Sequence, residues 1–166
     1  GAAEYAATEF KAALADPAGH ISTNADNFAV VYPGGNFRYP IYNTYDGRKD
    51  FGESATMTTI MANTGGSDLR QTVFGSTVTG AATSNGVPYG WTRAKVEAWT
   101  AANPNWAYVM ALPYRAQNST IYLVDASHVL LARAEAANRG WTSETANTQS
   151  LYEAGITASF TKWGLA

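Results

Sequence analysis

Cysteine is absent from the 166 residues, which excludes disulfides, thiolate metal sites and a cysteine nucleophile. Charge is scarce as well: Asp, Glu, Lys and Arg make up 14% of the chain, against roughly 25% in an average soluble protein. With 11 Lys+Arg against 13 Asp+Glu and a net charge of −2, no cationic excess is available to neutralise nucleic-acid phosphates or to hold an anionic bilayer. No uncharged apolar run approaches the roughly 18 residues of a membrane-spanning helix. The first residues also lack the charged-then-apolar pattern of a signal peptide.

Aromatic side chains are plentiful. Hydrophobic residues reach 46% and aromatics 13%, with ten Tyr and five Trp, so the chain can build a core and still present aromatic rings. A surface of Asn, Ser, Thr, Gly and Tyr suits an uncharged partner. The length fits one domain, or a piece of a larger one.

The chain opens with AAEYAATEFKAALAD, already at helical spacing, with Ala2, Ala3, Ala6, Phe10 and Leu14 near one face and no N-cap before them. Asp16-Pro17-Ala18-Gly19 is a stop, because proline cannot donate to the helix and glycine takes the left-handed conformation at little cost. This helix is expected to end near Ala15, and its abrupt start suggests that residue 1 lies inside a larger protein.

Residues 27–32, NFAVVY, predict a short strand, and residues 32–47, YPGGNFRYPIYNTYDG, an ordered irregular loop. A helix of about a dozen residues should follow from Ser54, burying Met57, Ile60 and Met61 and closing at Asn63-Thr64-Gly65-Gly66. The Val, Thr and Phe of residues 68–79 favour extended structure, and residues 80–90 read as loop. From Thr92, TRAKVEAWTAANP reads as a helix that stops before Pro104, with Val96 and Trp99 inward. The apolar run of residues 106–114 bends at Pro113.

The strongest helical period lies in YLVDASHVLLARAEAANRG, through Leu123, Leu130, Ala134 and Ala137, with Glu135 and Arg139 an i,i+4 pair and Gly140 at the C′ position. A short polar connection, TSETANTQ, leads to a second helix on which Leu151, Gly155 and Ala158 share a face. Two helices joined so closely should pack antiparallel, and their small residues should let the backbones approach toward the short end of the roughly 8–10 Å range.

These helices resemble tetratricopeptide-like repeats. More specifically, LLARAEAANRGW followed by LYEAGITASFTKWG resembles the C-terminal part of the SusD/RagB family of outer-membrane glycan-binding lipoproteins, and Asp68-Leu69-Arg70 resembles that family's Asp-Pro-Arg-Leu motif without its proline. The resemblance implies a mainly α, tetratricopeptide-like fold with long ordered loops and little β. Residues 1–15 would end one repeat, 16–121 form a loop-rich insert with short helices, and 122–164 the hairpin. It further implies a surface-exposed, lipid-anchored bacterial protein without enzymatic activity or cofactor. Such a protein captures a neutral oligosaccharide for a SusC-like TonB-dependent transporter.

A sugar offers an apolar C–H face and a rim of hydroxyls, so its binder needs flat aromatics beside fixed polar groups. The expected ligand residues are therefore Arg38, Tyr39, Tyr42, Asn43 and Tyr45 in the aromatic loop, with Tyr89 and Trp91 as a second cluster. The same rings could instead pin long loops to the helical body, which would suit a protein-interaction scaffold that never meets sugar. Trp99, Trp106 and Trp141 read as packing residues, Trp141 as the hydrophobic contact of a helix C-cap. Arg70 and Arg133 are expected to pair with carboxylates such as Asp68 and Glu135.

Signals for catalysis are thin. His20 and His128 lack an i,i+4 partner for zinc, and Ser159 to Lys162 matches S-x-x-K without its companion motifs. Asp46, Asp50 and Glu53 are the candidates for a glycosidase pair or a Ca²⁺ site, but no EF-hand pattern surrounds them. Asn118-Ser119-Thr120 fits a glycosylation sequon, a match too short to carry weight.

Overall fold

A computed structural model describes residues 1–63, 68–81, 83, 85–142 and 147–165. The fold is mainly helical. In order the regular elements are α1 (Ala2–Leu14), β1 (Phe28–Val31), α2 (Pro40–Asn43), α3 (Ala55–Asn63), α4 (Arg93–Ala102), β2 (Thr120–Val124), α5 (Ala126–Asn138) and α6 (Thr148–Thr161), with short 3₁₀ turns between some of them. β1 and β2 pair in a two-stranded sheet. The chain forms two compact units, one of residues 1–30 and 122–166, the other of residues 31–121.

The first unit is built on α5 and α6. Ala126, Leu130, Ala134 and Ala137 recur every three or four residues along α5 and are buried with Leu151 of α6, while Ile21 and Ala158 pack against them. The buried Gly155 faces α5 so closely that an added Cβ would lie 2.8 Å from Leu131 Cγ and 3.3 Å from its backbone nitrogen. The small residues therefore set the helix separation. Each end of α5 is closed by local chemistry. Asp125 accepts a hydrogen bond from the His128 N–H at 2.9 Å, and Gly140, at φ 70°, turns the chain so that the Trp141 and Gly140 N–H groups bond the Ala136 and Ala137 carbonyls, both at 2.9 Å. Lys162, at the end of α6, donates to Asp125 at 2.5 Å between the rings of Tyr122 and Trp163. The expected Glu135–Arg139 pair forms at 2.8 Å.

In the second unit the segment 106–111, which bends at Val109 and Met110, takes the place of a sheet. Trp106, Ala107, Tyr108, Met110 and Ala111 are all buried. Their backbone groups pair with separate loops: Ala107 accepts from Glu53 at 2.8 Å and donates to Asn85 at 2.9 Å, Tyr108 donates to Ser76 at 2.8 Å, and Ala111 donates to Val73 at 2.9 Å. One segment thereby satisfies buried amides from four directions. Arg115, only 5% exposed, donates to the Met110 carbonyl at 2.9 Å and lays its guanidinium 4.1 Å from the Tyr45 ring centroid. Burial lowers its pKa below the usual arginine value.

Several segments depart from the sequence expectation. The period seen through Leu123 is not helical there: residues 120–124 form β2, because this β-branched run pairs with β1, and α5 begins only after its Asp125 cap. Residues 68–79 contain no strand. The Asp68 carboxylate accepts the Arg70 N–H at 2.9 Å and also grips the Arg70 side chain, which winds Leu69–Thr72 into a 3₁₀ turn. The Arg70 hydrogen bond holds the Asp68 carboxyl below its ordinary pKa.

Proline at the first position nucleates α2 inside the loop expected to be irregular. Helix α3 has nine residues, with the Ser54 Oγ accepting the Met57 N–H at 3.2 Å, and it buries Thr58 and Met61 while Met57 and Ile60 stay exposed. Its expected close at residues 64–66, and the middle of the connection between α5 and α6, lie outside the described residues. Val96 and Trp99 lie, with Thr100, on the less exposed side of α4 and are half-buried.

Overpacking the helix crossing should be costly. Gly155→Val is expected to lower unfolding free energy by about 2 kcal/mol in a urea titration, and unchanged stability would contradict the close approach. The Asp125–Lys162 contact predicts a pH dependence. Burial raises the Asp125 pKa, but the Lys162 and His128 hydrogen bonds outweigh it, and the net value lies below the 3.8 of a free carboxyl. As pH falls the unfolded carboxyl is protonated first, so the stabilisation is present above about pH 4 and is lost on passing through the folded value. Asp125→Asn, which keeps the cap, should be less stable at neutral pH by about 1 kcal/mol, with a gap that closes as pH drops below about 4. A gap constant over that range would contradict the charge assignment.

Candidate functional site

Helix α4 follows Thr92, whose carbonyl accepts the Val96 N–H at 3.0 Å. Arg93, Val96, Glu97, Thr100 and Ala101 recur at i, i+3, i+4, i+7 and i+8, one stripe of the helix. That stripe is one wall of a cleft of about 790 Å³ in the second unit. Part of the chain between Tyr45 and Gly52 forms the facing wall, and Val87 and Trp106 complete the lining. Glu53 fixes the loop's exit: its N–H donates to Ala107 at 2.8 Å and its carbonyl accepts from Val87 at 2.7 Å.

The cleft combines an apolar face with charged hydrogen-bonding groups. Phe51 is 59% exposed and offers the open ring, whereas Trp106 is buried and stacked on Tyr108 with centroids 3.9 Å apart. Tyr45 holds Phe51 in place: its hydroxyl donates to the Phe51 carbonyl at 2.7 Å and accepts the Val109 N–H at 3.1 Å. Burial raises the Tyr45 pKa, which keeps the phenol protonated and able to donate. Around the rim Arg48 pairs with Asp50, and Arg93 with Glu97 at 2.7 Å. Guanidinium and carboxylate groups in such pairs retain free donor and acceptor sites at the mouth of the cleft.

Of the sugar-binding residues expected from the sequence, Tyr45 alone lines this cleft among the described residues. Tyr39 is 3% exposed, with its ring edge-on to Tyr32 and its hydroxyl toward Met110, so it has no face open to a ligand. Arg38 pairs with Asp46 at 2.6 Å, bonds the Gly35 carbonyl at 2.8 Å and lies over the half-buried Tyr42 ring, with Asn43 exposed at the end of α2. Tyr89 is 89% exposed, and Trp91 stands exposed with Lys95 5.5 Å from its ring centroid. These two flank cleft residues in sequence, next but one to Val87 and Arg93.

Phe51 and the α4 stripe escaped the sequence reading. Phe51 lies beyond the aromatic loop that ends at Tyr45, and Asp50-Phe51-Gly52, an isolated ring among charged and small residues, is the signal the sequence offers for it. The three candidate carboxylates are engaged: Asp46 bonds Arg38, Asp50 on the cleft wall pairs with Arg48, and Glu53 Oε1 accepts the Ser54 N–H at 2.8 Å. His20 and His128, distant in sequence, line one small apolar cavity of about 210 Å³ in the first unit, where His20 meets Arg133 at 3.1 Å. Among the described residues no group of three or more His, Cys, Asp or Glu is placed to hold a metal ion, and no helix is long and apolar enough to cross a membrane.

No curated protein matches the chain. A SusD-like family model, described as starch-binding and associating with the outer membrane, matches residues 1–166. Its match covers the scaffold of α5 and α6 together with the unit that holds the cleft. The chain therefore belongs to the SusD-like family of starch-binding proteins that associate with the outer membrane.

Proposed function

We propose that this chain captures oligosaccharide without cleaving it, at the surface of the outer membrane, and passes it to a SusC-like TonB-dependent transporter. A lipid anchor on the mature protein would hold it there. The observation that carries the reading is the cleft of the second unit, where the exposed Phe51 ring sits among two Arg–carboxylate pairs. A pyranose stacks its C–H face on such a ring while its hydroxyls bond the rim. Tyr45 acts as a positioning residue through the Phe51 backbone, and Tyr39 as a core support. Tyr89 and Trp91 extend the aromatic surface beyond the cleft, and Arg38, Tyr42 and Asn43 form a second exposed polar–aromatic patch in the same unit. Non-catalytic capture accords with the carboxylates, each of which is engaged by a structural partner.

Isothermal titration with maltohexaose tests this reading. Binding is expected, with the sugar recovered at its original length by mass spectrometry, and Phe51→Ala should weaken affinity about tenfold, the worth of roughly 1.4 kcal/mol of stacking. Absence of binding, or shortened product, would refute it.

A further inference from the structure

The low charge of the whole chain conceals a local imbalance at the cleft. Its lining carries Arg48, Lys49 and Arg93 against Asp50 and Glu97. Both carboxylates are taken, Asp50 by Arg48 and Glu97 by Arg93. Lys49 is left over: it is exposed on the cleft wall between the two members of the first pair and has no hydrogen bond or ion pair among the described residues.

A second cation stands behind the wall. The Arg115 guanidinium lies 4.1 Å from the ring centroid of Tyr45, itself a cleft residue, and bonds a carbonyl; no carboxylate among the described residues pairs with it. Arginine stays charged in proteins, and at 5% exposure its field reaches the cleft with less screening than that of a surface group. The Glu53 carboxylate, which accepts the Ser54 N–H and is in no ion pair among the described residues, also acts on Tyr45 and offsets Arg115, so Lys49 is the cleft charge without a protein anion to match.

We infer that the cleft prefers an oligosaccharide bearing a carboxylate, a uronate-containing chain, with one ring on Phe51 and the carboxylate directed to Lys49. The inference rests on the sugar-binding reading above and narrows its ligand class from oligosaccharide in general to acidic glycan. An ammonium–carboxylate contact at an exposed rim strengthens binding severalfold and fades with salt.

The test is titration of the chain with two matched ligands, maltohexaose and maltohexaose oxidised at C6 to glucuronate. At about 50 mM salt the oxidised form is expected to bind at least about threefold tighter, with the gap closing at about 300 mM salt and in Lys49→Gln. Equal affinity for the two ligands, or a gap that survives Lys49→Gln, overturns the inference and leaves the sugar-binding reading standing. Binding of neither ligand overturns both.

Discussion

The cleft depends on how buried backbone groups are satisfied in a unit with little regular sheet. Every amide taken from water needs a partner, and an orphaned one costs about 1–3 kcal/mol. Residues 106–111 meet that demand by running through the core and pairing with separate loops in turn. The loop before α3 is fixed through Glu53, the loop after the 3₁₀ turn through Ser76 and Val73, and the Tyr45 hydroxyl through the Val109 N–H. Once these are set, the position of Phe51 follows from the Tyr45 hydroxyl that bonds its carbonyl.

The helical unit solves the opposite problem. Its helices satisfy their own backbones, so what remains is to bring two of them together, and alanines with one buried glycine do this by removing side-chain bulk. Such a surface has almost no chemistry of its own. Its polar chemistry lies largely in the caps, where Asp125 and Lys162 tie the end of α6 to the start of α5. Scaffold and site are thereby separated: one unit spends its sequence on close packing, the other on loops that present an aromatic ring and charged pairs.

Legibility in the sequence followed the range of the determining interactions. Helix ends set by neighbouring residues were readable, as at Gly140-Trp141, at Thr92 and after Leu14. Readings failed where a distant partner, or one specific side-chain grip, overrode the propensity of a segment. Leu123 fits a helical period with Leu130, yet the cross-strand pairing of residues 120–124 decides its backbone. The Thr and Val of residues 68–79 favour strand, but one Asp68–Arg70 grip wins locally. The site was harder still: the aromatic loop was found, but Tyr39 turns into the core, while the cleft assembles Phe51 with a helix face some forty residues away, a juxtaposition that no periodicity encodes.

The central claim is that the cleft between α4 and the loop before α3 receives the sugar. Hydrogen–deuterium exchange of the chain with and without maltohexaose tests it most directly, because protection is read along the whole backbone. The account predicts slowed exchange in residues 45–53 and in α4, with α5 and α6 unchanged. Protection confined to the helical hairpin, or to the α2 patch with the cleft unaffected, would contradict it.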